Sequence, residues 1–156
     1  MTGLMSRDKL IFSKPFANPS GSSSSYGGNP LASAAAYVTV KTILDEGLVE
    51  NSAIVGAFML SKLMAFKDKF PFVGDVRGRG LLIGVELVKS RQTKEKLDKE
   101  TCKVIFKECL KRGLIVMGYN PDIRINPPLT IDQATAEEGI EIMEEAFAHV
   151  ADRINI

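Results

Sequence analysis

Arg124 stands between Ile123 and Ile125, just ahead of Pro127 and Pro128. An arginine in an alternating apolar stretch does one of two things. It lays its stem along the surface and keeps its head in water, or it is held to grip a carboxylate with its planar two-pronged guanidinium. A second candidate lies about a hundred residues earlier, where the hydroxyls of Ser22 to Ser25 lead through Tyr26, Gly27 and Gly28 into Asn29-Pro30. Free backbone N–H groups and the positive end of a following helix suit an anion there, and the hydroxyls add donors. The competing reading is a flexible Ser/Gly linker. No Gly-Lys-Ser/Thr follows and no dinucleotide fingerprint is present, so neither nucleotide motif applies.

Other reactive side chains carry less. Arg77 and Arg79 in Val76-Arg-Gly-Arg-Gly80 read as a basic turn at the surface. Glu86 alternates away from Val85 and Leu87, the solvated side of a strand, and His149 falls on the polar side of the last helix. Cys102 and Cys109 are seven positions apart on a helix, ~10 Å along its axis, beyond the ~7 Å that a disulfide tolerates between Cα atoms. With one histidine and no paired-ligand spacing, no metal site is expected. No nucleophile, base and orienting residue occur together, which leaves nucleophilic hydrolysis without support.

The elements that would hold these groups can be read from period and punctuation. Asn29 suits an N-cap and Pro30 the first helical position, opening an alanine-rich helix that ends near Glu46-Gly47. A second helix is expected over 51–69, with Ile54, Ala57, Phe58, Met64 and Ala65 on its apolar face and Pro71 as its stop. Leu81 to Val88 alternates as a strand, with Gly78 and Gly80 before it allowing a bulge or close approach. Lys99 to Arg112 is an amphipathic helix closed by Gly113, Leu114 to Met117 a short strand, and Asp122 to Asn126 another strand stopped by two prolines. Thr130-Ile-Asp-Gln133 fits a capping box for the last helix. Helices packed on a small sheet, an α/β architecture, satisfy this order.

Composition narrows the classes. The 156 residues suit one compact domain more readily than two, and 45% hydrophobic with 25% charged residues is ordinary for a folded chain. Twenty basic against 19 acidic residues leave a net charge of +1, so no broad field favours nucleic acid or an anionic membrane, and tryptophan is absent. No apolar run suggests a membrane span or signal peptide, and a cytoplasmic protein is expected.

Three ordered stretches resemble one family. Ser25-Tyr-Gly-Gly-Asn-Pro-Leu31 is similar to the T-F-G-G-N-P-L segment of class III aminotransferases. Val76-Arg-Gly-Arg-Gly-Leu-Leu-Ile-Gly-Val-Glu-Leu87 resembles that family's V-R-G-x-G-L-x-x-G-x-E-L strand, and Ile123-Arg-Ile-Asn-Pro-Pro-Leu129 its L-R-x-x-P-P-L segment. Glu46-Gly-Leu-Val-Glu-Asn51 is similar to the E-G-L-x-E-N turn between the family's domains.

The resemblance implies a fold type I scaffold with pyridoxal 5′-phosphate as cofactor, and substrates that are small amines, amino acids and keto acids. It makes residues 1–47 the end of a large cofactor-binding domain and residues 48–156 a small C-terminal domain, helices on a small, largely antiparallel sheet. Ser25 would stand for the threonine whose hydroxyl binds the cofactor phosphate of the neighbouring subunit in a homodimer, with Gly27 and Gly28 letting the main chain approach. Arg124 would stand for the arginine that grips the substrate carboxylate. The Schiff-base lysine would precede Met1, so the chain is expected to be the C-terminal part of a longer enzyme and inactive alone. Without the resemblance, a non-catalytic ferredoxin-like binding module with a disordered Ser-rich leader fits the same pattern.

Overall fold

The computed structural model describes residues 25–117 and 120–153. The expected strand end at Met1 to Met5 and the loop from Phe12 through Ser24 lie outside the described residues. The chain divides into two compact units, Met1–Glu46 and Gly47–Ile156.

In the first unit, helix α1 (Pro30–Asp45) begins as its sequence dictates. Asn29 is the N-cap, its Oδ1 accepting from the N–H of Ala32 at 3.0 Å, and Pro30 follows. Gly47 has a φ of 64°, the left-handed conformation that glycine adopts without a Cβ penalty.

The second unit starts with α2 (Leu48–Met64), followed by the single turn α3 (Phe66–Lys69). Strands β1 (Val73–Arg79) and β2 (Leu82–Ser90) form an antiparallel hairpin. On its other edge, β2 pairs antiparallel with β4 (Asp122–Ile125) and further along with the two-residue β3 (Glu95–Lys96). Helices α4 (Lys99–Lys111) and α5 (Gln133–Ala151) complete the unit. The α/β expectation with an antiparallel sheet holds.

Alternation along β2 sends Ile83, Val85 and Leu87 into the core, where Val76 and Ile123 join them from either side. Above them pack Val55, Met59 and Leu63 of α2, Ile105 of α4, and Ile140, Met143 and Phe147 of α5. Phe66, Phe70, Phe72 and Phe147 form an aromatic cluster with centroids 5.4–5.7 Å apart.

Several expectations need correction. Val73–Arg79 is a strand, although two of its seven residues are glycine and three are charged. Its partner explains this: a Cβ on Gly78 would come within 2.7 Å of the Leu82 carbonyl oxygen, so the close pairing needs glycine there. Leu114–Met117 pairs with no strand among the described residues. The second helix starts at Leu48 and buries Val55, Met59 and Leu63, while Ile54 and Met64 are exposed. The stretch Leu48–Lys69 is long and apolar enough to cross a membrane by length and composition, but its buried stripe is packed in the core. The last helix is capped by Asp132, which accepts from the Thr135 N–H at 2.7 Å, and not by Thr130.

Candidate functional site

The face of the sheet turned away from the helices is where charge collects. Because Arg77 pairs with Gly84 and Gly84 with Arg124, these three residues lie in one row across β1, β2 and β4. At ~4.8 Å per strand the two arginines are ~10 Å apart at their Cα atoms. Gly84 puts no side chain between them, and a Cβ there would meet nothing nearer than 3.9 Å. The result is a concavity of ≈ 400 Å³ walled by Arg77, Arg79, Leu82, Gly84 and Arg124.

The arginines are not equivalent. Arg77 Nη1 lies 3.1 Å from Asp75 Oδ2 and 3.3 Å from Glu86 Oε2, so its charge is balanced within the sheet. Glu86 is in turn hydrogen-bonded by Lys96, and this contact, with the help of Arg77, holds its carboxyl below the usual range. Lys96 also reaches Asp122 at 2.8 Å. Arg124 has no carboxylate within 4.0 Å among the described residues, although it lies in the same row. Arg124 is exposed on this face, and the residue also borders an apolar groove of ≈ 350 Å³ formed by the 114–117 segment, Ile125, Pro127, Ile131 and α5. An always-charged, exposed fork with no carboxylate partner among the described residues is suited to a carboxylate ligand.

Two features set the frame of this face. The β1–β2 turn sits directly on α2: the Leu81 N–H donates to Ser52 Oγ at 3.2 Å, and a Cβ on Gly56 would fall 2.2 Å from the Gly80 carbonyl. The segment that leaves β4 is tied to the same helix, since Asn51 Nδ2 donates to the carbonyls of Leu129 at 2.7 Å and Ile131 at 2.9 Å. Asn51 enters the sequence reading only in the Glu46–Asn51 motif and at the start of the expected second helix, with no role, and the Arg77–Glu86 pair does not enter it. The Arg77–Glu86 pair could not be read because β1 itself is not evident as a strand from sequence. The carbonyl partner of Asn51 at Leu129 is 78 positions away, so the contact itself could not be read from local sequence.

The other predicted residues belong to the first unit. Ser25, Gly27 and Gly28 form an exposed turn ahead of α1, with Gly28 at φ 75°. Asn29 closes the turn from below, its Nδ2 donating to the Tyr26 carbonyl at 2.7 Å. No acidic residue occupies the first turn of α1. Ahead of the positive end of a sixteen-residue helix the turn thus offers an exposed hydroxyl and exposed glycine backbone, groups that suit an anion.

The sidelined residues are structural. His149 Nε2 lies 3.7 Å from Glu108 Oε2, between α4 and α5, and both cysteines are fully buried.

Against known proteins, the model of the class III aminotransferases matches residues 8–147. The leucine/methionine racemase of Thermococcus litoralis is 36% identical over 153 residues, covering 97% of this chain and 34% of its own length. Human mitochondrial alanine–glyoxylate aminotransferase 2 is 34% identical over 131 residues, 82% of this chain and 26% of the relative. Among solved structures, the pyridoxal-phosphate-bound amine transaminase from an uncultivated Pseudomonas species superposes with a TM-score of 0.80 at 31% identity, covering 92% of this chain and 33% of that one. The chain thus spans about a third or less of the length of these relatives. A non-catalytic ferredoxin-like module is set aside by these matches. With its ordered motifs, its antiparallel sheet and a match over nearly all its length, the chain belongs to the pyridoxal-phosphate-dependent class III aminotransferase family of fold type I.

Proposed function

We propose that the full-length protein carrying this chain transfers an amino group between an amine or amino acid and a keto acid, and that this chain holds the phosphate of pyridoxal 5′-phosphate and the carboxylate of the substrate. The observation that carries the reading is that Arg124 has no carboxylate within 4.0 Å among the described residues, although it is set in a row with an arginine whose charge is already balanced. A guanidinium left without a carboxylate beside a bare glycine floor has room and charge for one from outside.

The bound cofactor supplies an electron sink for the substrate's α-carbon. This chain's part is to bind and orient. The Ser25 hydroxyl and the N–H groups of Gly27 and Gly28 donate to the phosphate, assisted by the α1 dipole, and in a cytoplasmic homodimer they serve the neighbouring subunit's cofactor. Arg124 takes the substrate carboxylate in two parallel hydrogen bonds, which fixes the rotation of the substrate and not only its distance. No lysine of this chain is assigned the proton-moving role. Domain roles follow: residues 1–47 serve the cofactor and residues 48–156 the substrate.

The relatives include a racemase as well as an aminotransferase. The test is Arg124→Lys in the full-length protein. The charge survives but the fork is lost, so the KM of a carboxylate-bearing substrate should rise roughly 10- to 100-fold, the worth of one charge-assisted hydrogen bond, with unchanged thermal stability. Normal kinetics in a destabilised variant would make Arg124 a structural residue.

A further inference from the structure

We propose that Asn51 is a positioning residue for the Arg124 carboxylate grip, an inference that rests on the assignment of Arg124 to the substrate. Asn51 lies inside α2, and its own N–H already donates to Gly47 at 3.0 Å, so the helix does not need its side chain. Both hydrogen bonds of its carboxamide nitrogen go instead to one distant segment, at Leu129 and Ile131. Two anchor points fix the direction of a segment as well as its distance.

That segment is the continuation of β4. Arg124 and Ile125 are held at one end by the ladder to Gly84 and Ile83. Pro127 and Pro128 follow, each with a locked φ and no N–H, so the run is stiff. A further turn closes where the Ile131 N–H donates to the Pro128 carbonyl at 3.0 Å. A displacement at Leu129 is therefore passed back toward Arg124 and not absorbed between them. Strand β4 has only four residues, and β2 is its one strand partner among the described residues, so its ladder offers little resistance. The same first half of α2 seats the β1–β2 turn through Ser52 and Gly56. One rigid helix thereby sets both sides of the concavity in which Arg124 stands.

The experiment uses the full-length protein with Asn51→Ala, Asn51→Ser, Arg124→Lys and the Asn51→Ala/Arg124→Lys pair. Kinetics are measured with L-alanine and with 1-phenylethylamine, which has no carboxylate, and the Kd of propanoate is measured by calorimetry, which needs no turnover. Asn51→Ala should raise the KM of L-alanine and the Kd of propanoate about tenfold, in line with the cost of a sub-ångström to 1 Å misplacement. The kinetics of the carboxylate-free amine should stay within about twofold of the parent, as a general loss of folding would not allow. In the Arg124→Lys background Asn51→Ala should add less than about twofold, because the fork it positions is gone. Asn51→Ser keeps one donor and should show about a threefold effect, and it decides the matter if the alanine variant fails to fold. Unchanged propanoate binding, equal damage with both amines, or additive effects in the pair would each overturn the positioning role. If Arg124→Lys is itself without effect, the assignment of Arg124 fails. If Arg124→Lys is damaging and Asn51→Ala is silent, only the positioning role fails.

Discussion

Two glycines inside helices should respond to alanine with opposite signs, and the structure says why. Alanine favours a helix over glycine by ~0.8–1.0 kcal/mol, so propensity alone predicts that Gly56→Ala in α2 stabilises. The added Cβ, however, would lie 2.2 Å from both the carbonyl carbon and oxygen of Gly80, more than an ångström inside ordinary contact. These are backbone atoms of a tight turn with Gly80 at φ 55°, held to α2 through Ser52, and no rotamer change can relieve the clash. The helix must lift as a body, which withdraws Val55 and Met59 from the sheet. Overpacking of this kind costs ~1–3 kcal/mol and sometimes more, and relief through backbone movement puts Gly56 at the upper end. The clash exceeds the propensity gain, for a net loss of about 2 kcal/mol. Gly139 in α5 is the control: its Cβ would meet only Leu114 Cδ1 at 3.7 Å, so Gly139→Ala should gain about 0.5–1 kcal/mol. Urea denaturation of the three proteins, compared at equal slope, measures both shifts. A Gly56→Ala variant as stable as the parent would refute the claim that α2 rests directly on the turn.

Other outcomes follow from the same contacts. Lys111 and Arg112 hold the Glu108 carboxyl at about 2 against an ordinary 4.5, so its contribution to stability is full above about 4.5 and is lost as pH falls toward 2; Glu108→Gln should flatten the melting temperature over that window, and parallel curves would show the pairing is uncoupled from folding. Cys102 and Cys109 are fully buried with thiols pushed up to about 11, so Ellman's reagent at pH 8 should label neither until denaturant is added. Ser25→Ala in the full-length protein should weaken pyridoxal-phosphate binding by about 1–3 kcal/mol in a fluorescence titration, and equal affinity would remove Ser25 from the phosphate site. The 156-residue chain alone should turn over no amino acid, and borohydride trapping with one equivalent of pyridoxal 5′-phosphate should label no single lysine to completion. Among the described lysines, Lys62 and Lys96 sit beside carboxylates, Glu137 for the first and Asp122 with Glu86 for the second, that favour the unreactive ammonium.

Much of the candidate site was legible because it depends on local chemistry. Asn29 and Pro30 define the start of α1 through an orphan N–H and a missing one, and both act within one turn of the chain. Alternation along Leu82–Ser90 and the prolines after Asn126 likewise bound their strands without reference to anything distant. The motif resemblance supplied the proposed roles of Ser25 and Arg124, which residue type alone left open between two readings.

The strand Val73–Arg79 was hidden because its glycines and charges have poor intrinsic preference for a sheet, and what makes it a strand is the partner that only glycine lets approach. The buried stripe of α2 was hidden for a related reason. Leu48–Met64 is apolar on nearly every side, so periodicity cannot choose a face, and the choice falls to the contact between Gly56 and Gly80. Local order therefore came from the chain itself, through caps, breaks and alternation whose energies are settled within a few residues. Which face is buried, which arginine is neutralised and which carbonyls Asn51 holds were decided by tertiary structure, because each depends on atoms that only folding brings within contact distance.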